Sequence, residues 1–181
     1  MVLERITADS YELDELERIN KASFPENEYV NIRYLFENCG RGVLAVRDEG
    51  RTVGFIVVYE TGEYTYICFF AIDPDLRGRG LGSSALSALA AECSGRCVVA
   101  DIEAPDSGCE NNAQRIRRRE FYTRNGFSST GWFMYYMDTE FEVMSAGGSF
   151  DMDGFRQLLA EITAFAPSFQ PRIYRKPSAE S

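Results

Sequence analysis

Residues 69–89 read FFAIDPDLRGRGLGSSALSAL: an apolar run, a proline, then glycines at 78, 80 and 82 before a helical pattern. The run ending at Ile72 has the composition of a strand, while Leu81, Ala85, Leu86 and Leu89 recur at helical spacing. A strand therefore gives way to a helix across a glycine-rich turn. Glycine takes positive φ and lets a ligand approach bare backbone, and the first turn of a helix leaves its N–H groups unpaired. With the helix dipole and the charges of Arg77 and Arg79 added, such a turn is an anion site, and a phosphate or pyrophosphate is its natural ligand. Two familiar phosphate loops do not fit the spelling. The P-loop needs a lysine that is absent here, and the dinucleotide fingerprint would need a third glycine where Ser83 stands. A turn that only joined strand to helix would need a single glycine.

Outward from this junction, residues 42–47, 52–59 and 64–72 are rich in β-branched and aromatic side chains and are separated by DEG and ETGE, which predicts three antiparallel strands. Ahead of them a strand is predicted at 2–6. A helix follows from a capping box of Asp9 and Glu12, carries Leu13, Leu16 and Ile19, and ends at Phe24-Pro25. A short helix at 31–38 is closed by Cys39-Gly40. After a helix at 80–91 come a strand at 97–102, a loop through Pro105, Asp106 and Gly108, and a helix at 112–124 stopped by Asn125-Gly126. Strands at 131–137 and 141–145 form a hairpin, and a helix at 151–165 carries Phe155, Leu158, Leu159 and Ile162 on one stripe. This order predicts an α/β (α+β) fold, a mixed, mostly antiparallel twisted sheet of about seven strands flanked by helices, with an extra C-terminal helix. One domain is expected over 1–166 and a mobile C-terminal tail over 167–181.

The 181 residues suit one domain, and 45% hydrophobic with 26% charged residues is a globular balance. The net charge of −9 disfavours nucleic acid and favours a cationic ligand or plain solubility. Residues 114–119, QRIRRR, stand out as either a local anion site or a solvated helix face. There is no histidine, so acid–base chemistry falls to carboxylates, tyrosines, cysteines or lysines. Five cysteines without paired C-x-x-C spacing favour neither a disulfide framework nor zinc, and no metal is expected. Apolar runs are strand-sized and the first residues are acidic, so neither a membrane span nor a signal peptide is expected, and a cytoplasmic location follows.

Arg77-x-x-Gly80-x-Gly82, preceded by an apolar strand and Asp73-Pro74, resembles the acyl-CoA pyrophosphate loop of the GNAT superfamily of N-acetyltransferases. That loop reads Gln or Arg, two residues, Gly, one residue, Gly or Ala. Downstream, Phe121-Tyr122-Thr123-Arg124-Asn125-Gly126-Phe127 is similar to the family's F-Y-x-x-x-G-F, and the likeness covers roughly residues 1–145. The resemblance implies direct acetyl transfer from acetyl-CoA, the co-substrate, to an amine on a small molecule or peptide, by a monomer or homodimer. It puts the pyrophosphate on the backbone around Arg77, Gly78, Arg79, Gly80, Leu81, Gly82 and Ser83, and the pantetheine on Phe70, Ala71 and Ile72. It makes Tyr122 the proton donor to the leaving thiolate and Glu103 the first choice of base, with Glu60, Glu63, Glu26 and Glu28 as alternatives. Many members carry Asn and Ala where Arg115 and Arg118 stand here. Those arginines and Arg119 are expected either to meet a CoA phosphate or to form a solvated basic face. By analogy Phe24, Glu26 and Tyr64 face the acceptor, aromatic and acidic groups that suit a cationic amine. A CoA-binding sensor without turnover and a nucleotide-phosphate domain are the alternatives.

Overall fold

The computed structural model describes residues 1–26, 29–39 and 42–176. They fall into two compact units divided between Ser94 and Gly95. Among the described residues no helix is long and apolar enough to cross a membrane.

In the first unit strands β1 (Val2–Arg5), β2 (Gly42–Asp48), β3 (Arg51–Glu60) and β4 (Tyr64–Ile72) lie side by side in chain order, every pair antiparallel. Helices α1 (Leu13–Ser23), α2 (Ile32–Cys39) and α3 (Leu81–Glu92) accompany them, with a short 3-10 turn at Pro74–Leu76. Leu13, Leu16 and Ile19 of α1 and Ile32 of α2 are fully buried against Val43, Ala45, Phe55, Val57 and Ala71, one face of the strands. The helical and two-residue periods of the sequence thus meet in one apolar cluster.

Two polar contacts in this unit differ from the sequence expectation. Asp9 and Glu12 form no capping box: Glu12 is the N-cap of α1 but caps nothing with its side chain. Its carboxylate turns inward, accepting the Thr52 hydroxyl at 3.0 Å and lying 3.4 Å from Arg47, because a buried acid needs a donor and the strands supply one. The loop leading to α2 is organised by Glu17, which accepts the Ile32 N–H at 2.6 Å, the Tyr29 hydroxyl at 3.0 Å and the Asn20 amide at 3.3 Å. The predicted close of α2 at Gly40 lies outside the described residues.

The second unit orders its strands β5 (Cys97–Glu103), β7 (Thr139–Gly147), β6 (Ser128–Tyr136) and β8 (Arg172–Arg175), again antiparallel throughout. Helix α4 spans Asn112–Arg124, as the sequence predicted to the residue, and α5 spans Met152–Phe165. Asp151 caps α5 by accepting the Gly154 N–H at 2.8 Å, and Phe155, Leu158, Leu159 and Ile162 form its buried stripe. The class is the expected mixed, mostly antiparallel one, with eight strands among the described residues rather than about seven. The additional strand is β8, within residues read as a tail. Its four residues pair with Trp132–Tyr135 of β6, and Arg175 and Lys176 lie over the rings of Trp132 and Phe133 at 5.0 and 4.4 Å. Proline and charge hid a strand too short to show a period.

The end of β4 is fixed by charge. Asp73 pairs with Arg18 of α1, and its carboxylate accepts the Asp75 N–H at 3.1 Å. Burial alone would raise its pKa. The Arg18 and Asp75 hydrogen bonds and the charges of Arg18 and Arg77 outweigh that, holding the carboxyl below its ordinary value of 3.8. A depressed carboxylate stabilises the folded state above its unfolded pKa and loses that contribution as pH falls through the folded one. Asp73→Asn is therefore expected to lower the thermal midpoint at pH 7 and to converge with wild type in acid well below pH 3.8, checked by melts across that range. Glu17→Ala removes the partner of the Ile32 N–H and the Tyr29 hydroxyl. Loss of such a cap should cost about 1–2 kcal/mol, a fall of about 2–8 °C in midpoint for a chain of this size.

Candidate active site

The glycine turn belongs to the first unit. After β4 the chain makes its 3-10 turn, and Arg77 folds back so that its Nε donates to the Ile72 carbonyl at 3.1 Å and its terminal nitrogen to the Ser23 hydroxyl at 3.0 Å. Its guanidinium thus braces the end of β4 against the end of α1. Gly78 and Gly80 have φ of +80° and +79°, and a Cβ at either would meet nothing within 4 Å, so conformation and not crowding calls for glycine there. Gly80 is the N-cap of α3, and the first backbone bond into the helix runs from the Ser84 N–H to the Gly80 carbonyl at 3.1 Å. Among the described residues the N–H groups of Gly78, Arg79, Gly80, Leu81, Gly82 and Ser83 have no backbone acceptor. Arg79 is exposed and, among the described residues, in no ion pair. Six orphan donors at the positive end of a twelve-residue helix form an anion cradle.

Phe70, Ala71 and Ile72 pair with Ile56, Phe55 and Gly54 of β3. Just before them Phe69 lies opposite Val57 while Ile67 lies opposite Val58, so Cys68 is the extra residue of a bulge. Phe24 is half-buried, its ring edge-on to Phe69 at 5.8 Å, and Glu26 is exposed. Tyr64, expected to offer its ring to the acceptor, is only 3% exposed, and Tyr66 only 4%. Their alternate positions on β4 turn both into the core. Glu60 is held by Arg5 at 2.7 Å, Glu63 is exposed, and Glu28 lies outside the described residues.

In the second unit the face of α4 toward the interior is unusual for a helix, because its buried residues are Arg115 and Tyr122. Arg115 donates to the Asn111 side chain at 2.9 Å and the Ala104 carbonyl at 3.2 Å, and lies 3.0 Å from Glu103. Arg118 reaches the other Glu103 oxygen at 2.7 Å, and the Asn111 amide adds a contact at 3.3 Å. Glu103 is thus a buried carboxylate matched by two guanidinium groups and an amide. Arg119 pairs with buried Glu142 at 2.7 Å. Arg115, Arg118 and Arg119 each pair with a buried acid, Arg115 from within the core and Arg118 and Arg119 with their side chains still partly exposed. Of the arginines in QRIRRR, Arg117 alone is exposed and, among the described residues, in no ion pair.

Tyr122 lies edge-on to Phe121 and Phe127, with ring centroids 5.4 and 5.1 Å away, and is almost wholly buried. Burial pushes its phenol well above the ordinary range, Arg118 pulls it partly back, and the charge of Asp101 pushes it up again. Tyr122 therefore carries its proton throughout the physiological range. No hydrogen bond to its hydroxyl is found among the described residues.

Two features were missed in the sequence. Asp101, half-buried in the middle of β5, accepts the Tyr136 hydroxyl at 2.6 Å. Its place two residues before Glu103, on the same side of the strand, was the available signal. A cavity of about 330 Å³ also opens where the loop after β5 meets the β6–β7 hairpin, lined by Asp106, Cys109, Tyr135, Asp138, Glu140 and Lys176 among others. Among the described residues there is no cluster of three metal-ligating side chains.

The model of the acetyltransferase (GNAT) family matches residues 8–127, which include both the glycine turn and Tyr122. Among solved structures, a GNAT-family protein from Bacteroides thetaiotaomicron aligns with a TM-score of 0.76 at 23% identity, covering 94% of this chain and all of that one. The ribosomal-protein-S18-alanine N-acetyltransferase of Escherichia coli aligns at 0.61 and 17% identity, over 83% of this chain and 95% of its own. A GNAT-family acetyltransferase from Elizabethkingia anophelis, solved with acetyl-CoA bound, aligns at 0.56 and 12%, over 81% and 97%. No curated protein matches the sequence. With both motif regions inside a family match that spans more than half of its length, the chain belongs to the acetyltransferase (GNAT) family.

Proposed function

We propose that this chain transfers an acetyl group from acetyl-CoA to an amine by direct attack, without an acyl-enzyme. The observation that carries the cofactor is the row of six unaccepted N–H groups from Gly78 to Ser83, which suits a pyrophosphate and needs no lysine. Arg79 adds a free charge, whereas Arg77 acts as a brace. The backbone of Phe70, Ala71 and Ile72 is the proposed partner of the pantetheine, and a main-chain N–H there would polarise the thioester carbonyl. A relative solved with acetyl-CoA bound supports the choice of cofactor.

Tyr122 is the proposed proton donor. A thiolate released beside it would feel the same desolvation that keeps the phenol protonated, so thiol and phenol shift together and proton sharing stays balanced. Arg115 and Arg118 are proposed to position α4 rather than to bind phosphate, since Glu103 engages both. That engagement also makes Glu103 a poor choice of base, for its oxygens already accept from three side chains. The acceptor is an amine on a small molecule or a protein. Exposed Glu26 and half-buried Phe24 are the members of the expected acceptor set that remain open to it.

Acetyl-CoA and CoA should each raise the melting temperature while ATP does not, and an amine panel should show thiol release. Binding of CoA with no thiol release on any amine would instead mark a sensor. Tyr122→Phe is expected to lower kcat about 100-fold with the KM for acetyl-CoA within about threefold, because the ring remains and only the proton is lost. Unchanged turnover across pH 6–9 would remove Tyr122 from the mechanism.

A further inference from the structure

The Tyr122 phenol lies almost wholly out of water against the rings of Phe121 and Phe127, and no hydrogen bond to its hydroxyl is found among the described residues. A phenol that gives its proton to a sulfur leaves a phenoxide behind. In a dry place with no donor that anion is costly unless positive charge lies near it.

That charge comes from earlier on the same helix. Glu103 is one carboxylate shared by two guanidinium groups, Arg115 at 3.0 Å and Arg118 at 2.7 Å, and among the described residues neither arginine pairs with another acid. The three side chains therefore carry a surplus of one positive charge. Arg118 stands four residues before Tyr122, one turn away on the same stripe, whereas Arg115 is two turns away. Glu103 fixes the Arg118 guanidinium in place, although the side chain is still 37% exposed. The opposing charge is Asp101 of β5, whose carboxylate accepts the Tyr136 hydroxyl of β6, and at the phenol Arg118 outweighs it.

Resting on the acetyltransferase reading above, in which Tyr122 protonates the leaving thiolate, we infer that Arg118 is a positioning residue that acts through Tyr122. Anchored by Glu103, it holds positive charge one helical turn from the phenol and stabilises the phenoxide that forms as the proton leaves. The C–S bond breaks with its electron pair on sulfur, the Tyr122 proton passes to that sulfur, and the phenoxide takes a proton back from solvent. Arg118 gives up no proton at any stage, since a guanidinium keeps its charge. Arg115 supplies the second charge, which prevents the anchor from cancelling Arg118.

Arg118→Gln removes the charge, keeps an amide for Glu103, and leaves that carboxylate matched by Arg115 and Asn111. Its kcat should fall about tenfold, with the KM for acetyl-CoA within about twofold of wild type. Arg118→Lys should recover most of that loss. The same Arg118→Gln change made in Tyr122→Phe, where no phenol remains for the charge to act on, should cost less than about twofold more. A side chain that only held α4 in place would cost as much in one background as in the other. An equal loss in both backgrounds, full activity in Arg118→Gln, or no recovery in Arg118→Lys overturns the assignment and leaves Tyr122 standing as the donor. A KM for acetyl-CoA raised about tenfold with kcat kept overturns it in favour of a phosphate contact. Wild-type turnover in Tyr122→Phe overturns the donor role and this inference with it.

Discussion

A carboxylate buried at the end of a strand must be met by positive charge, and in the second unit that requirement fixes helix α4. Glu103 is reached by Asn111, Arg115 and Arg118, which follow one another at four- and three-residue steps. That is the spacing of a single helical stripe, and Tyr122, four residues further, continues it. The clamp therefore sets which way the phenol faces. Neutralising either partner alone would leave an uncompensated charge in a dry place, a far larger penalty than the pair's modest net gain. An arginine run in an acidic protein is accounted for by internal acids, with no need of an external polyanion.

Charge is used in the same way in the first unit. Asp73, Arg18, Arg77 and Ser23 tie the end of β4 to α1, and the side chains nearest the glycine turn are thereby committed to scaffolding. What is left for an anion is mostly backbone: N–H groups that helix geometry forbids from pairing. An anion site built this way would depend on φ values of +79° and +80° at two glycines more than on any side chain.

The elements legible in the sequence were those with local causes. Strand β4 was read to its exact bounds because β-branched and aromatic residues dominate it between two turns, and α4 was read because Asn125-Gly126 stops it. The family's two motifs were legible for the same reason, each being a short run whose backbone shape its own residues dictate. What stayed hidden depends on partners far along the chain. Glu12 looked like a cap and became a buried acceptor for Thr52, 40 residues away. Arg118, read as a phosphate contact or part of a solvated face, pairs with Glu103, and Tyr64 looked available and turned inward. Asp101 was overlooked because a mid-strand acid gives no sign of its partner until Tyr136, 35 residues later, is seen to hold it.

Strand β8 bears on how the chain can be handled. It forms the outer rim of the second unit's strands, and its arginines and the lysine that follows it cover aromatic rings of β6. A version shortened before residue 172 would uncover Trp132, Phe133 and Tyr135 along a bare β6 edge, a template for pairing between molecules. The last described basic residues thus cover the strand beneath them.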